Sequence, residues 1–219
     1  MTPYYEHAGI TIYHGDCRDI LPDVWFGVDL VLADPPYGVN AVSSRGKTFG
    51  TSNACQTNDY IPVYDDDKPF DPSHLLMFPK IILWGGNHYA DKLPAQSCWL
   101  TWDKRDGTAS NPMADCELAW TNLGGPARLF HHRWMGMIRA SEREQRCHPT
   151  QKPVALMRWC LSQASTAQSV CDPYMGSGPT LVAAKEAGLS AIGIEIEERY
   201  CEIAAKRLQQ EVLPLEMGA

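Results

Sequence analysis

No apolar run in this 219-residue chain approaches the roughly 18 residues that a membrane span needs. The opening residues, Met1-Thr2-Pro3-Tyr4-Tyr5-Glu6, have neither the basic start nor the apolar stretch of a secretory leader. A cytoplasmic protein with no membrane partner is therefore expected. Cysteine is not scarce, but none of the eight forms a Cys-x-x-Cys pair, so the spacing of a zinc site is missing and no metal is expected. None follows a proline, which removes a Pro-Cys nucleophile. In a reducing compartment these cysteines read as small buried hydrophobes. Internal repeats and low-complexity tracts are absent as well, and the length suits one domain spanning 1–219.

Positive charge is also in short supply. The net charge is −7, which argues mildly against a polyanionic partner. The distribution reverses that argument locally. From Pro126 to Lys152, six basic residues (Arg128, Arg133, Arg139, Arg143, Arg146, Lys152) face two acids, a local +4 in a chain that is otherwise −11. His131, His132, His148 and Trp134 add donors and an aromatic surface there. A solvated loop is the plain reading of a charge run; the contrast with the rest of the chain favours contact with a polyanion.

Against this background, Asp34-Pro35-Pro36-Tyr37 is the most informative segment. It follows Val28-Asp29-Leu30-Val31-Leu32-Ala33, a run expected to form a buried parallel strand. Open α/β sheets place their ligand sites at the carboxyl ends of such strands. Two prolines stiffen the turn and leave its carbonyls as acceptors. A carboxylate and a carbonyl together hold an NH2 group, and Tyr37 offers a flat face for a base. A long polar stretch follows, from about 38 to 72, with Arg45 and Lys47 near its start and Asp65-Asp66-Asp67 near its end. Loops of that length are usually functional or mobile.

Further strands are expected at Ile10–His14, Ile81–Trp84 (stopped by Gly85-Gly86), Cys98–Asp103 and Cys116–Thr121, with a helix over Val154–Gln163. The last third reads as strand, loop, helix, strand: Ser169–Cys171, then Asp172-Pro173-Tyr174-Met175-Gly176-Ser177-Gly178, then Pro179–Ala187, then Ala191–Ile196. A final helix runs from about Glu198 to Glu211. This pattern predicts a largely parallel sheet with helices on both faces. Gly176-Ser177-Gly178 lets a ligand approach the backbone. A dinucleotide fingerprint wants glycine where Leu181 stands, and no Gly-Lys-Ser/Thr signature is present. Asp172 opens the loop, and Glu195 ends the next strand, where a carboxylate commonly binds ribose. Two acids without a phosphate-binding lysine suit a cofactor that has no phosphates.

Asp34–Tyr37 resembles the Asp-Pro-Pro-Tyr catalytic motif of amino-methyltransferases, which methylate adenine N6 or cytosine N4 using S-adenosylmethionine. Asp172–Gly178 resembles the cofactor loop of that family, usually Asp-Pro-Phe-x-Gly-Ser-Gly, with Tyr174 in place of the phenylalanine. His148-Pro149-Thr150-Gln151-Lys152-Pro153 matches the segment that precedes this loop. Gly193-Ile194-Glu195-Ile196, with Tyr200 and Arg207 beyond, matches the ribose-binding strand and its helix. Gly15-Asp16, followed by Cys17, resembles the pair whose acid contacts the cofactor adenine. Because the catalytic motif precedes the cofactor loop, the order is that of the β-type, circularly permuted class.

The resemblance implies a Rossmann-like S-adenosylmethionine-dependent fold and direct methyl transfer, with Asp34, Pro35, Pro36 and Tyr37 catalytic. It implies cofactor contacts from Asp16, Cys17, Asp34, His148, Thr150, Lys152, Asp172, Pro173, Tyr174, Gly176, Ser177, Gly178, Glu195 and Ile196. Double-stranded DNA is the implied partner, met by Arg45, Lys47, Arg128, Arg133, Arg139 and Arg143, with a short target-recognition insertion at about 126–147. Members of the class often dimerise, and a homodimer is left open. Aspartate at position 34 leans towards adenine N6, with cytosine N4 or an RNA substrate as alternatives. A non-catalytic binding protein that kept the fold is the alternative of another class.

Overall fold

The structure, a computed structural model, describes residues 1–39, 63–108, 114–135, 138–142 and 150–209. Eleven strands and four α-helices alternate along them. The strands are β1 (Tyr5–His7), β2 (Ile10–His14), β3 (Leu30–Ala33), β4 (Ile81–Trp84), β5 (Trp99–Asp103), β6 (Cys116–Thr121), β7 (Arg128–His131), β8 (Trp134–Met135), β9 (Ile138–Arg139), β10 (Ser169–Asp172) and β11 (Ser190–Glu195). The helices are α1 (Cys17–Val24), α2 (Val154–Gln163), α3 (Pro179–Glu186) and α4 (Glu198–Gln209). Two short 3-10 turns, Gly86–His88 and Ala90–Lys92, follow β4.

Nine strands form one sheet in the order β1-β2-β11-β10-β3-β4-β6-β5-β7, and β8 and β9 pair as a separate hairpin. The run from β2 to β4 is parallel throughout. Antiparallel pairing enters at β1, on one edge, and at β6, between β4 and β5. The largely parallel sheet read from the sequence is thus its centre.

Period two decides which side each strand residue faces. Leu30 and Leu32 of β3, with Ile82 and Trp84 of β4, belong to the core under α2, α3 and α4. Val31 and Ala33, with Ile81 and Leu83, belong to the core on the opposite face, with Ile20 and Leu21 of α1 and with Phe70, Leu75 and Phe78. Both faces are covered, which is why these strands read as unbroken apolar runs rather than alternating ones. Burial of each such aliphatic side chain contributes roughly 1.5–3 kcal/mol.

Two local differences from the sequence reading have simple causes. β3 begins at Leu30 rather than Val28, because the Asp29 carboxylate accepts the Gln168 and Ser169 amides (2.8 and 3.1 Å) and ties the strand entry to β10 instead of pairing. Helix α1 was not foreseen: it is only 8 residues long and contains Pro22. Asp16 starts it as an N-cap, accepting the Arg18 amide at 2.9 Å.

Among the described residues no helix is long and apolar enough to cross a membrane. The basic segment, aperiodic in sequence, adds β7 to the edge of the main sheet beside β5 and then turns into the β8–β9 hairpin.

Candidate active site

Strand order brings together residues that lie far apart in the chain. β3 and β10 are parallel neighbours, with Leu30 opposite Val170 and Val31 opposite Cys171. From β10 the chain proceeds through α3 to β11 on one side; from β3 it proceeds to β4 on the other. The boundary between them is a topological switch point, where neighbouring loops diverge and leave a crevice. Asp34 and Asp172 sit at the ends of these two strands and line one cavity of about 520 Å3. Among the described residues, eight carboxylates line it (Asp16, Asp34, Asp65, Asp66, Asp71, Asp172, Glu195, Glu197), against three cations, Arg18, Lys68 and Lys152.

The turn after β3 is held from three directions. Asp66, buried, accepts with one carboxylate oxygen the consecutive amides of Tyr37, Gly38 and Val39 (3.1, 3.0 and 3.3 Å). Gly85, at φ +73°, lies against the Tyr37 ring so closely that a Cβ there would fall within it. His88 stacks on that ring at 5.0 Å between centroids and 9° between planes. One face of Tyr37, expected to be open for a base, is therefore taken by a side chain from the turn after β4.

Both oxygens of Asp34 are engaged. The Tyr37 hydroxyl donates to Oδ1 in a short bond, and Lys152 Nζ donates to Oδ2 at 2.6 Å. Lys152 also reaches the Tyr37 hydroxyl oxygen (3.2 Å) and Glu117 Oε2 (3.0 Å), while Lys104 Nζ sits 2.8 Å from Glu117 Oε1. Burial pushes the Asp34 carboxyl up and Glu117 adds to this, while Lys152 and Tyr37 pull it down. Two donors and no acceptor around it fit the ionised form. Burial alone would raise Glu117 and lower Lys152; the charges beside them win, Asp34 and then Glu117 for Lys152, Lys152 and then Lys104 for Glu117, leaving Glu117 at about 2 and Lys152 at about 12. Burial, with Asp34 beside it, holds the Tyr37 phenol well above its usual value, so it remains a donor.

The glycine loop is pinned by backbone donors. Asp172 Oδ1 accepts the Tyr174 amide at 3.1 Å and Oδ2 the Thr180 hydroxyl at 2.5 Å. Burial outweighs both bonds and lifts its carboxyl to about 7. Glu195 accepts the Gly176 amide (2.9 Å) on one oxygen and the Glu197 amide (2.9 Å) on the other. Gly178, at φ +74°, caps α3 and packs against Ala204, where a Cβ would crowd. Tyr174, the departure from the usual phenylalanine, uses its hydroxyl: His74 Nε2 lies 2.9 Å from it.

Of the cofactor residues expected from the sequence, Asp16, Cys17, Asp34, Thr150, Lys152, Asp172, Pro173, Tyr174, Gly176, Ser177, Glu195 and Ile196 line the cavity. Gly178 shapes the loop from behind. His148, Arg45, Lys47 and Arg143 lie outside the described residues. Two of these residues also hold contacts within the chain. Lys152 holds the carboxylate of Asp34, and the Asp16 carboxylate is gripped by the Arg18 side chain through Nε at 3.0 and 3.1 Å. Burial pushes the Cys17 thiol up to about 11, so it stays protonated near neutral pH. Arg128, Arg133 and Arg139 are not in the cavity wall. Arg128 is exposed, Arg133 faces Asp106 at 3.9 Å, and Arg139 lies over the Trp134 ring at 5.2 Å.

Sequence reasoning missed Asp66, Gly85, His88 and Glu117 as parts of the site. The acidic triplet and the glycine pair were visible, but nothing in their spacing points to Tyr37. Among the described residues no group of three or more potential ligands could hold a metal ion.

A family model described as DNA methylase, of the N6/N4 methyltransferase type, matches residues 42–206. The type II methyltransferase M2.DpnII of Streptococcus pneumoniae is 41% identical, over 95% of this chain and 93% of that protein. Among solved structures, the cytosine-N4-specific PvuII DNA methyltransferase superposes with a TM-score of 0.61 at 14% identity, over 96% of this chain and 90% of that one. The complex of M1.HpyAVI with S-adenosylmethionine gives 0.53 at 22%, over 92% of this chain and 100% of that one. At these identities the two superpositions speak for the fold.

Proposed function

The chain belongs to the DNA methylase family of N6/N4 methyltransferases, and on that premise we propose that it transfers the methyl group of S-adenosylmethionine to N6 of adenine in DNA. The cavity suits that cofactor. Its excess of carboxylates favours a ligand bearing sulfonium and ammonium charges, and the glycine loop carries no lysine for phosphates. Glu195 spends one lone pair of each oxygen on a backbone amide and keeps others for a ribose diol. Asp172, Gly176 and Ser177 would hold the amino-acid end, and Asp16, Cys17 and Ile196 the adenosine end. S-adenosylmethionine supplies an electrophilic methyl group when bound.

The chain's own residues orient the acceptor. An adenine amine is out of reach inside a duplex, so the base must rotate into the cavity. Asp34 and the Pro35 carbonyl accept hydrogen bonds from the NH2 group, drawing its lone pair out of conjugation with the ring. The Tyr37 hydroxyl, which donates to Asp34 Oδ1, yields that oxygen to the amine. With S-adenosylmethionine bound, the lone pair so aimed would take the methyl carbon, and the C–S bonding pair would leave with the sulfur as a neutral thioether. The nitrogen is cationic until one proton passes to Asp34 and on to water. The negative charge of Asp34 favours that cation, and alignment of the two reactants supplies much of the rate.

The observation that carries this reading is Asp34 at the end of β3, beside Asp172 and facing the same cavity. A carboxylate in that position leans towards adenine. The segment 126–147, with Arg128, Arg133, Arg139 and Arg143, is proposed to meet the DNA target, joined by Arg45 and Lys47. The test is expression in a methylation-deficient cell, followed by mass spectrometry of digested DNA and mapping by single-molecule sequencing. N6-methyladenine in one sequence context is the expected result. N4-methylcytosine alone would move the assignment to the other base, and no modified base in DNA would overturn it.

A further inference from the structure

Lys152 raises a question that the methyl-transfer chemistry does not answer. Its ammonium lies 2.6 Å from Asp34 Oδ2, with a side chain only 6% exposed. A lone cation there would cancel the charge of Asp34 and repel the positive nitrogen that methyl transfer creates. Glu117 enters from β6, on the far side of β4 from β3, and puts Oε2 3.0 Å from the same ammonium. Asp34, Lys152 and Glu117 together carry a net −1. Lys104, the other cation on Glu117, lies at the more exposed end at 2.8 Å, over the Trp102 ring. Among the described residues, the other titratable groups close to Asp34 are Tyr37 and Tyr89, both neutral phenols, and Asp172, a carboxyl that adds no positive charge and is itself pushed up by burial, with a smaller push from Asp34.

Resting on the methyltransferase reading above, we propose that Glu117 is a positioning residue for the reaction: it offsets the Lys152 ammonium, so that Asp34 remains negatively charged toward the amine. Lys152 then orients the Asp34 carboxylate without neutralising the site.

Three variants test it: Glu117→Gln, Lys152→Gln and the pair together, each with DNA and S-adenosylmethionine in single-turnover and steady-state assays. Glu117→Gln is expected to lower kcat by about 10- to 100-fold, with the KM for DNA changed by less than about 3-fold. Adding Lys152→Gln should recover part of that loss, because the uncompensated cation is gone. Wild-type turnover in Glu117→Gln, or a double variant slower than Glu117→Gln, would overturn the proposal. A second readout needs no catalysis. Calorimetry compares S-adenosylmethionine with the neutral thioether S-adenosylhomocysteine, and Glu117→Gln should shift that ratio against the cation by about 10-fold. An unchanged ratio counts against the proposal even if the wild-type enzyme methylates a different base. Where Glu117→Gln does not fold, Glu117→Asp replaces it: retained charge should keep kcat within about 5-fold, and a loss of about 100-fold in the folded protein would mean that shape, not charge, matters.

Discussion

The Asp66 carboxylate accepts the amide of Tyr37 at 3.1 Å, across 29 positions of chain. The same oxygen takes the next two amides, so one acid fixes the turn that aims Asp34 and Tyr37. Its neighbour Asp65 sits 3.7 Å from Arg18, which in turn grips Asp16. Asp65 and Asp66 therefore link the catalytic turn to Arg18 and Asp16 in the cavity wall.

Asp66→Ala should cost about 1–3 kcal/mol of stability, since it strips the partner from three amides near a buried position. Loosening the turn should lower kcat by about 100-fold, because small misplacements of reacting groups are expensive. Asp66→Asn, which keeps one acceptor oxygen, should fall between. Denaturant titration and single-turnover kinetics on the same preparations separate the two effects.

Asp34→Ala and Asp172→Ala should fail differently. Loss of Asp34 is expected to reduce methyl transfer by more than about 1,000-fold while the cofactor Kd moves by less than about 3-fold. Loss of Asp172 should weaken cofactor binding by about 10-fold or more and lower kcat less. Isothermal calorimetry beside a methyl-transfer assay reads both. Near-normal turnover in Asp34→Ala would remove it from the catalytic assignment.

The Asp172 carboxyl, lifted to about 7 by burial, makes the cofactor-free protein pH-sensitive. The folded protein holds this proton more tightly than the unfolded chain, whose aspartate titrates near 3.8. Between those two values the folded state binds more protons, so its stability falls as pH rises through that window, by a few kcal/mol at most on the order of about 1.4 kcal/mol per pH unit. Glu195 and Asp34, also pushed up by burial, act in the same sense. A positively charged cofactor favours the ionised carboxylate, so its affinity should rise as pH passes about 7. Asp172→Asn should flatten both profiles, measured by thermal melts and calorimetry from about pH 5 to about pH 9, roughly two decades on either side of neutrality.

Gly85→Ala should be disruptive out of proportion to one methyl group. The left-handed backbone at φ +73° costs about 1 kcal/mol for alanine, and the added Cβ would displace the Tyr37 ring. The expected result is a stability loss of about 1–3 kcal/mol and a kcat reduced by at least 10-fold. Gly107→Ala serves as the control, with similar φ (+78°) and open space around it: it should lose stability without losing kcat.

Much of this architecture is legible in local pattern. The apolar run before Asp34 had to become a strand buried on both faces, and a strand, glycine loop and Pro179-led helix had to follow one another before Glu195. Those are short-range consequences of hydrophobic period, proline geometry and glycine freedom, and β3, α2, β10, α3, β11 and α4 lie within a residue or two of where the sequence puts them. Helix α1 escaped because Pro22 hides a short helix, and β7 because it is four residues long with one apolar residue on each face and only Phe130 partly covered, so no buried alternation advertises it.

The partners of Asp34 belong to the other category. Lys152 lies 118 positions away, and no local rule pairs it with Asp34. Only the parallel docking of β3 beside β10, with β6 inserted between β4 and β5, brings Lys152 and Glu117 into one charge cluster. The chain alone thus determined that a carboxylate, a carbonyl and an aromatic would stand at the end of a core strand. Strand order decided what surrounds them, because electrostatic interactions of buried groups depend on distance in space and on desolvation, and neither is written in spacing along the chain.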